Sequence, residues 1–270
     1  VILQLMGLAL DERYSDAPLC ETLRWLAAEE AQKKNVEKTR YCSPFVSVRR
    51  EGGYTLLRSR DQNVLIALDH GPLGFGALAA HGHADALSIQ AFRNGKKILT
   101  DPGTWNYHLY ENLRDLLRST AWHSTVYVTG RNQSEMLGPF LWGRRAQTRL
   151  LDVREDESGV TVRTQTQYDI IRHTRTLRFD LARTLTVEDA LEGLEAGKDV
   201  RKNFALAPDL QLRLERNRCT ATNADGGVTL TTAADDGWET AEYIYSKAYN
   251  HMEKAVRVSS RADSKTEIRF

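Results

Sequence analysis

From position 45 onward, short runs rich in Val, Ile, Thr and aromatic residues alternate with turn residues, a period-two rhythm that predicts β-strands. Strands are expected over 45–48, 54–57, 63–68, 87–92, 97–100, 124–128, 159–165, 170–179, 184–187, 210–214, 227–231, 239–245 and 255–258. Gly52-Gly53, Asn94-Gly95, Glu157-Ser158-Gly159, Asp225-Gly226-Gly227 and Asp235-Asp236-Gly237 separate them. Many closely spaced strands imply a mainly β chain folded as a large antiparallel β-sandwich. Only 110–118 reads as a helix inside this region. Ahead of it the rhythm is helical: Ser15-Asp16-Ala17-Pro18 is a helix start, and Leu19, Leu23, Leu26 and Ala27 form an apolar stripe running toward Lys33-Lys34-Asn35. One short amphipathic helix must pack on something else.

The length of 270 residues allows one large β domain or two smaller units. With 37 basic and 36 acidic residues, global charge indicates neither a nucleic-acid binder nor a membrane-surface protein. Locally, Arg114, Arg118, Arg131, Arg144, Arg145 and Arg149 are opposed only by Asp115 and Glu135, which makes either a solvated basic face or a groove for a polyanion. Cys20, Cys42 and Cys219 have no metal-binding spacing and read as buried thiols. The apolar opening from Val1 to Leu10 is too short to span a bilayer and lacks a basic flank, and the missing initial Met suggests a piece of a longer protein.

The chemistry concentrates in His81-Gly82-His83-Ala84-Asp85, Thr100-Asp101-Pro102-Gly103 and Thr120-Ala121-Trp122-His123-Ser124-Thr125. Asn94-Gly95 predicts a type I′ hairpin, and pairing Arg93 with Lys96 across it sets Ser88 opposite Asp101. Asp101 then emerges where the His81–Asp85 loop enters, so His83, Asp101 and His123 can form a three-ligand site whose donor set suits zinc. His70 and His173 read as core or edge histidines, and Trp105 and Tyr107 as either sugar-stacking or packing aromatics. Gly74-Phe75-Gly76-Ala77-Leu78-Ala79 loosely imitates a dinucleotide-binding loop without the βαβ unit that would support it. His-x-His-x-Asp also opens the metallo-β-lactamase signature, but Ala86 stands where that motif continues with His, and a hairpin follows rather than a helix. An amidohydrolase barrel would need alternating strands and helices.

The stretch His81 to Ser88, the segment Thr100-Asp101-Pro102-Gly103-Thr104-Trp105-Asn106-Tyr107, and Arg118 to Thr125 with Gly130-Arg131-Asn132-Gln133-Ser134 together resemble the heparinase II/III-like polysaccharide lyases, most specifically over 65–135. The resemblance implies an N-terminal α/α toroid followed by a large antiparallel β-sandwich (supersandwich). Residues 1–40 would be the end of the toroid and 41–270 the sandwich. It implies His83, Asp101 and His123 as ligands of a single, structural Zn2+, and His81 as the sandwich's catalytic contribution. Ser124 stands where the family commonly has Asn. The toroid's catalytic Tyr and its Asn or His have no matching position, so the toroid is an expected partner absent from this chain. The activity implied is β-elimination on a uronate-containing acidic polysaccharide in the periplasm, with Trp105, Tyr107, Arg114 and Arg118 as substrate contacts and neither nucleic acid nor membrane as partner. A non-catalytic sandwich that binds acidic glycans is the alternative, and a metallo-β-lactamase-like hydrolase a weaker one.

Overall fold

The computed structural model describes residues 45–74 and 76–270. The chain divides into two compact units, 1–44 and 45–270, and the second holds all the described strands. The expected helix over 1–40, Cys20 and Cys42 lie outside the described residues.

In chain order the strands are β1 (Val46–Arg49), β2 (Tyr54–Arg58), β3 (Val64–Asp69), β4 (Ile89–Arg93) and β5 (Lys96–Leu99), a meander forming a five-stranded sheet. Helix α1 (Glu111–Leu117) and a 3₁₀ turn (Thr120–Trp122) follow. Then come β6 (Val126–Val128), β7 (Met136–Gly138), β8 (Leu141–Trp142), β9 (Gln147–Asp156), β10 (Gly159–Tyr168), β11 (Ile171–Phe179), β12 (Thr184–Glu192) and β13 (Val200–Ala205). The chain closes with β14 (Gln211–Glu215), β15 (Arg218–Asn223), β16 (Gly226–Thr232), β17 (Glu239–Tyr245), β18 (Glu253–Arg261) and β19 (Thr266–Arg269). An eight-stranded sheet has the order β14-β15-β16-β19-β12-β11-β10-β9, a four-stranded sheet the order β17-β18-β13-β6, and β7-β8 is a small hairpin. All the strand pairs are antiparallel.

The five-stranded and four-stranded sheets are stitched together by a Leu99–Leu206 bridge and by Thr100 N–H donating to the Ala205 carbonyl at 2.9 Å. One apolar core joins this layer to the eight-stranded sheet, with Leu57, Ile66, Leu68, Ile89 and Leu99 on one side and Val160, Val162, Leu177, Phe179 and Leu185 on the other. Burying each such side chain is worth roughly 1.5–3 kcal/mol. The antiparallel sandwich expected from the period-two pattern is therefore the fold of this unit.

Strands β7, β8, β9, β13, β15 and β19 were not legible as runs. β9 is a largely exposed edge strand of mixed polarity, and β13 carries Arg201 and Lys202. The hairpin turn does have positive φ at both Asn94 (50°) and Gly95 (75°), as type I′ requires. The register beyond it differs from expectation: Arg93 pairs with Lys96 and Phe92 with Lys97, but Ala91 pairs with Leu99. A bulge at Ile98 shifts the ladder by one residue, so Ser88 and Asp101 are not a pair.

Candidate active site

Asp101 follows the end of β5, His83 lies on the loop between β3 and β4, and His123 is the C-cap of the 3₁₀ turn. Their ligand atoms converge: His83 Nδ1 is 3.0 Å from His123 Nε2 and 3.4 Å from Asp101 Oδ2, and His123 Nε2 is 3.0 Å from Asp101 Oδ2. Each residue's other polar atom is already held. His123 Nδ1–H donates to the Ser119 carbonyl at 2.6 Å, Asp101 Oδ1 accepts Gly103 N–H at 2.7 Å, and His83 Nε2 meets Thr104 Oγ1 at 3.3 Å. With its hydrogen on Nδ1, the neutral His123 ring offers a bare lone pair at Nε2, facing a carboxylate oxygen that is also an acceptor. A proton or a cation must lie between them. Burial pulls the His123 pKa down, but the hydrogen bond to Asp101 and the charges of Asp101 and Asp85 outweigh it and lift it to about 9. Burial raises Asp101, and the two histidines overcome that and hold it well below the usual carboxylate range. The separations fit a tetrahedral ion: zinc bonds of about 2.0–2.1 Å place neighbouring ligand atoms roughly 3.3 Å apart. Among the described residues this is the one group of three or more such side chains close enough to hold a metal.

The loop that supplies His83 also supplies His81, two residues away on a pinned backbone. Gly82 N–H donates to Ala79 (2.8 Å), Ala84 N–H to the Arg118 carbonyl (2.8 Å), and Thr120 Oγ1–H to the Ala84 carbonyl (2.7 Å). Gly82 lies against Gly74, where a Cβ would fall 2.9 Å from the Gly74 nitrogen. His81 is exposed and stands edge-on to Tyr107 and Phe140, with ring centroids 5.5 and 6.0 Å away. Tyr249 stacks beyond Tyr107 at 6.4 Å, so an open aromatic face surrounds the imidazole.

Four residues expected to contact substrate have distinct placements. Tyr107 is part of that face. Trp105 is only 8% exposed and stacks on Tyr110, which is 74% exposed, so the open ring there is Tyr110. Arg118 is 2% exposed and spends its donors on Asp115, Gly138 and Pro139 while lying 4.8 Å over Trp142; it is a brace for the β7–β8 hairpin rather than a surface contact. Arg114 is 3% exposed, lies 4.3 Å from the Phe140 ring centre and 5.3 Å from that of Tyr107, and leaves Nε and Nη1 without hydrogen-bond partners. Of the other arginines, Arg131 and Arg144 pair with Asp169, and Arg131 also reaches Glu195, so the basic run is not one continuous groove.

Two features had no role assigned from the sequence. Behind His83, Asp101 and His123 stand Asp85 and Asp69. Burial first, then the Asp101 charge, raises Asp85 against the pull of the two histidines. Burial and the Asp85 charge raise Asp69, whose carboxyl accepts Gly71 N–H (2.8 Å) and shares a hydrogen bond with the Tyr54 hydroxyl. Beneath the site, β11 turns His173 and Arg175 into the sandwich, where apolar residues would be the default. Asp189 receives His173 Nε2–H (2.7 Å) and Arg175 Nε–H (2.8 Å) and lies 3.2 Å from Lys202 Nζ, all four side chains being fully buried. Arg175 Nη1 continues to the carbonyls of Leu87 (2.7 Å) and Ser124 (2.9 Å), the first just past the His83 loop and the second beside His123. Asp85 was visible in the motif, whereas the buried quartet is scattered over three strands.

An antiparallel β-sandwich gathers two histidines and an aspartate beside an exposed histidine, and its family is shown by comparison with known proteins. Residues 46–270 match the Heparinase II/III-like, C-terminal family, and the chain belongs to it. The heparan sulfate lyase HepC from Pedobacter heparinus superposes with a TM-score of 0.71 at 18% identity, covering 92% of this chain and 40% of that one. A heparinase III with methylated lysines gives 0.71 at 18% identity over 92% of this chain and 39% of that one. Another heparinase III gives 0.66 at 16% identity, over 84% and 37% respectively. The chain thus spans about 40% of the length of these proteins. No curated protein matches it. The family membership supersedes the metallo-β-lactamase-like alternative.

Proposed function

We propose that this chain is the sandwich part of a polysaccharide lyase that cleaves uronate-containing acidic polysaccharide by β-elimination. The observation that carries the reading is His81, exposed among aromatic rings two residues from His83, whose ring converges with Asp101 and His123 closely enough to hold a metal ion. Membership of the heparinase II/III-like family supports it, as do the heparan sulfate lyase and heparinase III among its structural neighbours.

In the reaction a base removes the C5 proton alpha to the uronate carboxylate. The released pair forms the C4=C5 double bond, the C4–O glycosidic bond breaks, and an acid protonates the departing oxygen. That proton is poorly acidic beside a charged carboxylate, so positive or hydrogen-bonding groups must face the carboxylate. His81 is the group of this chain assigned to proton movement or carboxylate neutralisation. The buried Arg114 guanidinium behind Tyr107 and Phe140 adds positive potential to the same face. The base and its partners on the expected toroid are the remaining half of the site.

His83, Asp101 and His123 would hold a single Zn2+, whose contribution is structural: it closes the loop that carries His81. A periplasmic location belongs to the same reading and is tested by cell fractionation; no helix among the described residues is long and apolar enough to cross a membrane.

The discriminating experiment mixes the longer protein with heparan sulfate, alginate and a neutral glucan and follows ultraviolet absorbance of the new double bond. Absorbance that rises with a uronate polymer supports the lyase. Binding without any rise supports the non-catalytic glycan-binding alternative, which the open rings of Tyr110, Phe140 and Tyr249 would also serve.

A further inference from the structure

A second basic site, which shares no lining residue with the His81 rings, lies beside the loop that follows β3. It is a cavity of about 420 Å³ between the β3–β4 loop and the start of β9, within the roughly 300–1,000 Å³ of ordinary ligand sites. Arg50, Arg145 and Arg149 all line it, with His70 on its wall, and no Asp or Glu is among its lining residues.

The cavity is built by the fold rather than left between mobile side chains. Gly53 has φ +70° and approaches so closely that a Cβ on it would fall 2.0 Å from Gly71 Cα. Thr148 Oγ1–H donates to the Gly71 carbonyl, and Arg145 Nη2–H to that of Ala77, which ties the loop to β9 and its lead-in. His70, 6% exposed, is held by Thr55 Oγ1 at 3.0 Å.

The guanidinium donors are only partly used. Arg149 gives Nε–H and one Nη2–H to Gln165 Oε1, Arg145 gives one donor to Ala77, and Arg50 has no hydrogen bond or ion pair among the described residues. Three like charges around one cavity repel unless an anion joins them, and guanidinium forks match the oxygens of carboxylate and sulfate. We infer that this cavity is an anion subsite that takes a carboxylate or sulfate substituent of an acidic saccharide through Arg50, Arg145 and Arg149. The saccharide as ligand rests on the lyase reading; the anion preference rests on the cavity alone.

Calorimetric titration of the chain tests it, with three tetrasaccharides as probes: one from heparan sulfate, one from alginate, which has carboxylates but no sulfate, and neutral maltotetraose. Arg50→Ala and Arg149→Ala are compared with wild type, both at exposed positions where folding is not at stake. Wild type should bind acidic probes and not maltotetraose. Each variant should weaken that binding about tenfold or more, as expected for losing a hydrogen bond to a charged group. A loss confined to the sulfated probe assigns a sulfate, and a loss with both acidic probes a carboxylate. Unchanged affinity in both variants, equal affinity for maltotetraose, or no binding by wild type overturns the subsite. Formation of unsaturated product by the longer protein is measured separately. Arginine-dependent binding without turnover removes the lyase reading and leaves the subsite, while turnover with arginine-independent binding does the reverse.

Discussion

His123 Nε2 and Asp101 Oδ2 face each other at 3.0 Å, and the carbonyl of Ser119 already holds the hydrogen of the imidazole on its other nitrogen. Two acceptors at that distance are stable only around a proton or a metal ion, and His83 Nδ1 completes the third corner. This contact organises the whole site, because the loop that supplies His83 also carries His81.

Metal content follows directly. Chain purified without added metal should carry one zinc per molecule, and Asp101→Ala should carry none, measured by atomic emission. Zinc held at about a hundredfold over its Kd stabilises the fold by about 2.7 kcal/mol. Chelation should therefore lower Tm by roughly 5–10 °C at this chain length. Two zincs per chain, or a Tm indifferent to chelator, would contradict a single structural ion.

Arg175 is expected to matter although it touches no substrate. Arg175→Met leaves Asp189 with Lys202 and His173 but strips the Leu87 carbonyl of its guanidinium donor inside the sandwich and leaves the Ser124 carbonyl with the Ile89 N–H alone. Breaking such a buried network costs about 3–5 kcal/mol, readable by urea denaturation. Arg175→Lys should recover little, since one ammonium cannot reproduce the fork that reaches Asp189 and both carbonyls. A loss below about 1 kcal/mol for Arg175→Met would show that the network is dispensable.

Acid should weaken the fold through His173. Its Nε2–H is committed to Asp189, and its buried Nδ1 has no partner, so a second proton would be stranded. Burial, reinforced by the charges of Arg175 and Lys202, lowers its pKa despite Asp189. The unfolded chain takes up a proton below about pH 6.5 that the folded chain refuses. Stability therefore falls as pH drops from there toward the folded value, by up to about 1.4 kcal/mol per pH unit. Denaturation at pH 7.5 and 5.5 should show that His173→Gln, though less stable overall, lacks this part of the slope. Equal slopes in the two proteins would mean that His173 is charged in the fold.

Arg114 is expected to act on the His81 face through the rings it supports. Arg114→Met keeps the apolar stem but removes the charge behind Phe140 and Tyr107, an interaction worth about 0.5–2 kcal/mol. Turnover of the longer protein on uronate polymer should fall, with zinc content unchanged. Unaltered turnover would limit Arg114 to packing.

The convergence of His83, Asp101 and His123 was legible because each sits beside strong turn signals, in segments short enough to carry their own geometry. The hairpin that brings Asp101 near the loop was legible from Asn94-Gly95, but not its register, because the bulge at Ile98 leaves no mark in composition. His173, Arg175, Asp189 and Lys202 were hidden for a related reason. Each is a polar residue on a strand, and only the tertiary fold shows that all four point to one place. Trp105 and Arg118 carried residue types suited to sugar and anion contacts, yet the chain folds both inward. The exposed groups around His81, Phe140 and Tyr249 above all, come from segments with no motif.

The most direct test separates His81 from the metal proposed to position its loop. In the longer protein, assayed on the uronate polymers of the proposed reading, His81→Ala should lose at least about 100-fold in turnover, in the range of a general acid–base contribution, and keep one zinc per chain. His83→Ala should lose both zinc and turnover. Full turnover in His81→Ala, or full turnover in a zinc-free His83→Ala, would contradict the claim that a metal-anchored loop presents His81 to the reaction.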